Sequence, residues 1–294
     1  MSIIEVKQVT KDYGNQKGVF DVSFCVEKGE AVGFLGPNGA GKTTTIRQLM
    51  GFIKPDKGSV SILSMNCFQE ASKIQQNLGY LPGEIAFMEE MSGKEFISFI
   101  AKMKGIKDMT RANELIHYLE FDPKGKIRKM SKGMKQKIGL VCALMNDPDI
   151  LILDEPTSGL DPLMQNKFVD LMLAEKKKGT TILMSSHIFE EVEQTCDRVV
   201  IIKEGHIIKV EEMETLKKGK KKIYEIVFHE EREALQFVKQ HKNITINGNR
   251  ISFAMAGNAD VLIKELSQYT IDDIATRTQT LEELFLQFYG GEVS

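Results

Sequence analysis

Residues 36–43, G-P-N-G-A-G-K-T, have the types and spacing that a bound phosphate requires, fitting G-x-x-x-x-G-K-[ST]. Gly36, Gly39 and Gly41 open backbone conformations closed to other residues, so successive N–H groups can converge on an anion. Lys42 adds a mobile charge for β- and γ-phosphates, and the Thr43 hydroxyl can ligate Mg²⁺. Pro37, Asn38, Ala40 and Thr44 complete the expected nucleotide-contacting set. A second segment, D-I-L-I-L-D-E-P at 149–156, ends an apolar run in two carboxylates. Asp154 suits Mg²⁺ coordination. Glu155 is placed to polarise a water for in-line attack on a γ-phosphate.

Such residues need strands to deliver them. AVGFL at 31–35 precedes the glycine loop, and a helix is expected from about Lys42, its positive end towards the same anion. ILIL (150–153), TTILMS (180–185) and RVVIIK (198–203) read as further buried strands, the last followed by a turn at Glu204–Gly205 and a hairpin. Acidic residues at a strand's C-terminal edge lie where open α/β sheets bind ligands. Between about 84 and 147 the pattern turns helical: GKEFISFIAKMKG and RANELIHYLEF both place apolar residues on overlapping helical faces. The lysine-rich stretch 211–222 reads as a solvated linker. Beyond it, YEIVF, NITI and RISFAM alternate with EEREALQFVKQ, ADVLIKELSQY and TLEELFLQFYG, the pattern of a small α+β domain over 223–294.

Composition excludes several classes. With 294 residues, 42% of them hydrophobic and 27% charged, the chain is neither disordered nor fibrous. A net charge of -2 gives no global basic field, so no nucleic acid is expected as a partner. The apolar run IGLVCALM falls far short of the roughly 18–20 residues of a membrane-spanning helix, and the N-terminus has no signal-peptide core. A cytoplasmic protein is expected. The four cysteines have no metal-ligand spacing and read as small buried hydrophobes.

Taken together, the motifs resemble the nucleotide-binding subunit of ABC (ATP-binding cassette) transporters over at least residues 1–210. M-S-K-G-M at 130–134 sits where that family has its signature, S-G-L-D at 158–161 matches the D-loop, and His187 in MSSH matches the switch histidine. Tyr13 in TKDYG matches the aromatic that stacks on adenine. The resemblance implies an α/β P-loop NTPase fold of the ABC ATPase type: a sheet core with a helical subdomain at about 84–147, over 1–215, and a C-terminal accessory or regulatory α+β domain. It implies ATP and Mg²⁺ as ligands, and Glu155, His187, Lys42 and Asp161 as catalytic residues. Ser131 and Gly133 would complete the site of a second copy in a head-to-tail sandwich.

Two departures stand out. Lys132 replaces the usual signature glycine, bringing positive charge close to the nucleotide. Gly83 and then Glu84 follow LGYLP where the family has glutamine. Without a membrane span, the chain is expected to power separate permease subunits from the inner face of the cell membrane. Glu84, Ile85, Phe87 and MEEMSGKEF are the candidate docking residues. The short helical lobe, YLPGE and the C-terminal extension resemble bacterial exporter ATPases that remove drugs, antimicrobial peptides or lipids. A soluble ABC-family ATPase acting on nucleic acid or ribosomes is the alternative. The C-terminal domain shows no catalytic constellation and is expected to stabilise or regulate the homodimer.

Overall fold

The computed structural model describes residues 2–241, 244–255 and 259–289, with side chains to 285. The chain divides into two compact units, the first ending at Met213 and the second starting at Glu214. Residues 290–294, the end of the expected C-terminal domain, lie outside the described residues.

The first unit starts with β1 (Ser2–Asp12), β2 (Gly18–Glu27) and β3 (Ala31–Leu35), then α1 (Lys42–Leu49), β4 (Lys57–Ile62), β5 (Met65–Asn66), α2 (Ala71–Gln76) and β6 (Leu78–Leu81). Three helices follow, α3 (Gly93–Met103), α4 (Thr110–Tyr118) and α5 (Lys132–Leu144). The chain then alternates β7 (Ile150–Asp154), α6 (Pro162–Lys177), β8 (Thr181–Ser186), α7 (Phe189–Thr195), β9 (Arg198–Lys203) and β10 (His206–Glu212). Among the described residues these strands make two sheets. One is antiparallel, in the order β2-β1-β4-β5. The other runs β10-β9-β3-β8-β7-β6, parallel except for β10.

The parallel strands are apolar on both faces because both are covered. Val32 and Phe34 of β3 join Ile46 and Leu49 of α1 and Val6, Val22 and Val60 of the antiparallel sheet in one buried cluster. On the other face Gly33 meets α7 so closely that a Cβ there would lie 2.2 Å from Val192 Cγ1. The expected turn before β10 is present, with Glu204 and Gly205 at φ 49° and 79°, the backbone that a tight hairpin demands. The helical stretch packs through α3 and α4 onto α5. Its start is fixed by a capping box: Ser92 Oγ accepts from Glu95 N, and the Glu95 carboxylate accepts from Ser92 N.

Residues 211–222 do contain the boundary between the two units, but as regular structure rather than a solvated linker. They hold the end of β10, the helix α8 (Met213–Gly219) and the start of β11 (Lys222–Phe228). Met213 and Leu216, three apart, are both buried, which gives the segment a helical apolar face despite its lysines.

The second unit continues from α8 through β11, α9 (Glu231–Gln240), β12 (Thr245–Asn247), β13 (Arg250–Met255), α10 (Ala259–Leu266), β14 (Ile271–Thr278) and α11 (Leu281–Tyr289). Its antiparallel sheet has the order β12-β13-β11-β14. Tyr224, Ile226 and Phe228 alternate along β11 to face Phe237 of α9 and Leu262 and Leu266 of α10 in a separate core.

Candidate functional site

The glycine loop leaves the buried strand β3 and turns into α1, so the strand fixes its root and the helix its exit. Gly41 caps α1 at φ 112° with no side-chain acceptor, which leaves the first N–H groups of the helix free for an anion. A Cβ on Gly41 would meet Val19 Cγ1 at 2.5 Å, and one on Gly36 would meet the Ile202 carbonyl oxygen at 2.4 Å. Close approach therefore demands both glycines, and at Gly41 the positive φ demands one as well. Pro37, Asn38 and Gly39 form the exposed crest; Ala40 is buried, and its carbonyl accepts from Gly205 N.

Lys42 is only 5% exposed, folded back over its own loop. Its Nζ donates to the carbonyl oxygens of Gly36 (2.6 Å) and Pro37 (3.2 Å), and lies 3.1 Å from Glu155 Oε1. Glu155 follows β7 with φ 50°, uncommon outside glycine, and this turns its carboxylate away from the strand line. Its N–H is held by Ser185 of β8, and its carbonyl accepts from Gln136 Nε2 on α5. The second carboxylate oxygen is hydrogen-bonded to His187 Nδ1 at 2.5 Å. One carboxylate is thus held between a lysine and a histidine.

Asp154, one residue earlier, is fully buried. Ser185 Oγ donates to its Oδ1, whereas Oδ2 is buried with no hydrogen-bond partner. Such an atom is costly unless something cationic meets it. It borders a cleft of about 480 Å³ whose lining includes Thr43, Arg47, Tyr80, Glu155 and His187. The residues therefore fit a divalent cation, Thr43 and Asp154 supplying protein oxygens. Among the described residues no cluster of three or more His, Cys, Asp or Glu could hold a metal by itself, so phosphate and water would complete the shell. Burial, with the Asp154 carboxylate nearby, pushes the Tyr80 phenol up to about 12, with Arg47 opposing. Burial also raises the carboxyl of Glu191, whose Oε2 accepts from Ser186 next to His187.

Gly83 and Glu84 both line the cleft, and a Cβ on Gly83 would stand 3.1 Å from Asp154 Oδ2. Lys132 lines it too, donating from Nζ to Ser158 Oγ at 2.7 Å. Ser131 caps α5 by accepting from Met134 N, and Gly133 sits against the Gly159 carbonyl. Asp161 caps α6 by accepting from Met164 N. Ser131, Gly133 and Asp161 do not line the cleft, and neither does Tyr13, which is 54% exposed on the β1–β2 turn with Lys11 Nζ 5.9 Å from its ring centroid. Thr44 is half-buried on α1. Phe87 packs on Phe96, ring centroids 5.0 Å apart.

Sequence reasoning missed Ser185, Gln136 and Arg47. Arg47 was within reach, because it lies four residues after Thr43 and hence on the same face of α1. Ser185 and Gln136 act through backbone and carboxylate contacts that no spacing announces.

A phosphate loop, a buried strand-end aspartate and an adjacent glutamate on a parallel sheet define a P-loop nucleoside triphosphatase core. The family model described as "ABC transporter" matches residues 19–158. Across 99% of this chain and 98% of its own length, the bacitracin transport ATP-binding protein BcrA of Bacillus licheniformis is 35% identical. The linearmycin resistance ATP-binding protein LnrL of Bacillus subtilis is 37% identical over 71% of this chain and 68% of its own. A solved ATP-binding subunit of an ABC transporter, 32% identical, superposes with a TM-score of 0.68 over 74% of this chain and 92% of that one. The chain belongs to the ATP-binding proteins of ABC transporters, a family of ATPases. No helix among its described residues is long and apolar enough to cross a membrane.

Proposed function

We propose that this chain is the ATP-hydrolysing subunit of an exporter, docked on the inner face of the cell membrane against a separate permease that moves an antimicrobial drug, peptide or lipid outwards. The observation that carries the hydrolytic part is Glu155, held between Lys42 and His187 and next to a buried, half-satisfied Asp154. Lys42 leaves Glu155 for the β- and γ-phosphates of ATP, freeing the carboxylate to accept a proton from the attacking water. His187, hydrogen-bonded to that carboxylate, holds its orientation and takes up contact with the γ-phosphate. Mg²⁺, when bound through Thr43 and Asp154, would neutralise phosphate charge.

Tyr13, exposed on its turn, offers a ring face for adenine. Ser131 and Gly133, at the start of α5 and outside the chain's own cleft, serve the nucleotide of a second copy, and Asp161 orders the turn between the two sites. ATP favours the closed pair of chains only by binding it better than the open one. Glu84, Ile85 and Phe87 offer the docking surface for the permease. The outward direction and the cargo class rest on similarity to proteins named for bacitracin transport and linearmycin resistance. The second unit is an accessory domain.

Tagged purification from native membranes in mild detergent, followed by mass spectrometry, tests the reading. A stoichiometric multi-span membrane protein is expected. Recovery with ribosomes or nucleic acid, and no membrane protein, would replace it with a soluble ATPase.

A further inference from the structure

The sheet of the second unit ends on a long bare edge. β14 pairs with β11 along one side and, among the described residues, with nothing along the other. All of its residues from Asp272 to Thr278 are exposed. The opposite edge, β12, is only three residues long. Natural edges are blunted by short strands, by charged side chains (lysine above all), by proline, by bulges or by a covering element. β14 has eight residues, Ile271–Thr278, without lysine or proline; its charges, Asp272, Asp273 and Arg277, are of both signs, and it presents Ile274 at 47% exposure.

Its sequence, IDDIATRT, is complementary to itself. The register with β11 places Asp273, Ala275 and Arg277 on one face, opposite Val227, Glu225 and Ile223, and Ile274 and Thr276 on the other. A two-fold axis perpendicular to the sheet keeps each face on its own side, so only residues of the same face can lie opposite one another. An axis through Ala275 satisfies this and sets Asp273 of each copy opposite Arg277 of the other. Ile274 then lies opposite Thr276. Among the described residues, no ion pair or hydrogen bond engages the Asp273 carboxylate. Arg277 is held within its own chain by Glu225 of β11 at 3.4 Å and Glu283 of α11 at 2.7 Å, so Asp273 of the other copy would join it as a further carboxylate on the same guanidinium.

We propose that the edge of β14 is an interface for a second copy of this chain, joining two accessory domains into one continuous antiparallel sheet across Ala275. The pairing is independent of nucleotide and holds the two copies together between turnovers. It rests on the accessory-domain reading but not on the ATP sandwich.

The test is Ala275→Cys in the full chain, without nucleotide, under mild oxidation. Residues opposite one another in an antiparallel pair have Cα atoms about 4.5–5.5 Å apart, within disulfide range. A disulfide-linked dimer is expected, well above that of the parent chain and of Val261→Cys, an exposed control on α10. Adding Asp273→Lys places like charges opposite each other at both symmetric contacts and should slow cross-linking by at least about tenfold. Cross-linking of Ala275→Cys no faster than of Val261→Cys, or unchanged by Asp273→Lys, overturns the proposal. Asp273→Lys should leave an ATP-trapped dimer of the Glu155→Gln chain intact. Loss of that dimer as well would show a general effect on assembly and overturn the assignment to this edge.

Discussion

Replacing Glu155 by glutamine keeps the shape of the side chain and removes its charge. The structure sets two consequences in opposite directions. Lys42 Nζ lies 3.1 Å from Glu155 Oε1, and Lys42 is almost wholly buried. At an effective dielectric constant of about 20, the gross attraction at that distance is on the order of 5 kcal/mol, part of which a phosphate must overcome to take the lysine. Glutamine lifts that competition, so ATP affinity should hold or rise. The same change removes the carboxylate that is hydrogen-bonded to His187, and with it the proposed proton acceptor for the water. Loss of a positioned general base slows turnover by roughly 10²–10⁴-fold, about 3–5 kcal/mol in the barrier. Single-turnover hydrolysis of labelled ATP gives the rate, and equilibrium binding of a fluorescent ATP gives the affinity. Turnover within about threefold of the parent chain would refute the base assignment. Lost ATP binding would refute the claim that Glu155 restrains Lys42.

Further outcomes follow from other contacts. Gln48 of α1 is fully buried and neither amide atom has a hydrogen-bond partner, so Gln48→Met should stabilise the first unit by about 1–2 kcal/mol, read as a raised urea midpoint with an unchanged slope. Gly83→Ala would press a methyl group to 3.1 Å from Asp154 Oδ2 while Ser185 holds Oδ1. ATPase activity should fall on the order of tenfold and need more Mg²⁺, with the melting temperature unchanged. Hydrogen bonding from Arg277 holds the Glu283 carboxyl down to about 2 from an ordinary 4.5. A depressed acid stabilises the fold above its unfolded pKa and loses that contribution as pH falls through the folded one. Thermal melts should therefore show the second unit weakening between about pH 4.5 and 2, and Glu283→Gln should flatten that dependence.

The phosphate loop was legible from the residues alone, because a glycine pattern acts through backbone geometry that depends on neighbours in the chain. So were the buried strands around that loop, whose unbroken apolar runs state that both faces are covered. The hairpin after β9 was legible for the same local reason, as was the carboxylate pair, which follows directly from one such strand. Residues 211–222 misled because five lysines dominate the composition, while Met213 and Leu216 carry the fold. β14 was not read at all: IDDIATRT has no apolar alternation, and it becomes a strand only because β11 offers it a partner. How Glu155 is held emerged from the folded chain, since Lys42, Ser185, Gln136 and His187 reach it from four separate elements or loops. The fold also settled which residues share a cleft: Lys132 and Gly83 line it, while Tyr13, Ser131 and Asp161 stand outside. Sequence spacing records contacts within a turn or a strand. Contacts made by closing long loops leave no such periodic trace.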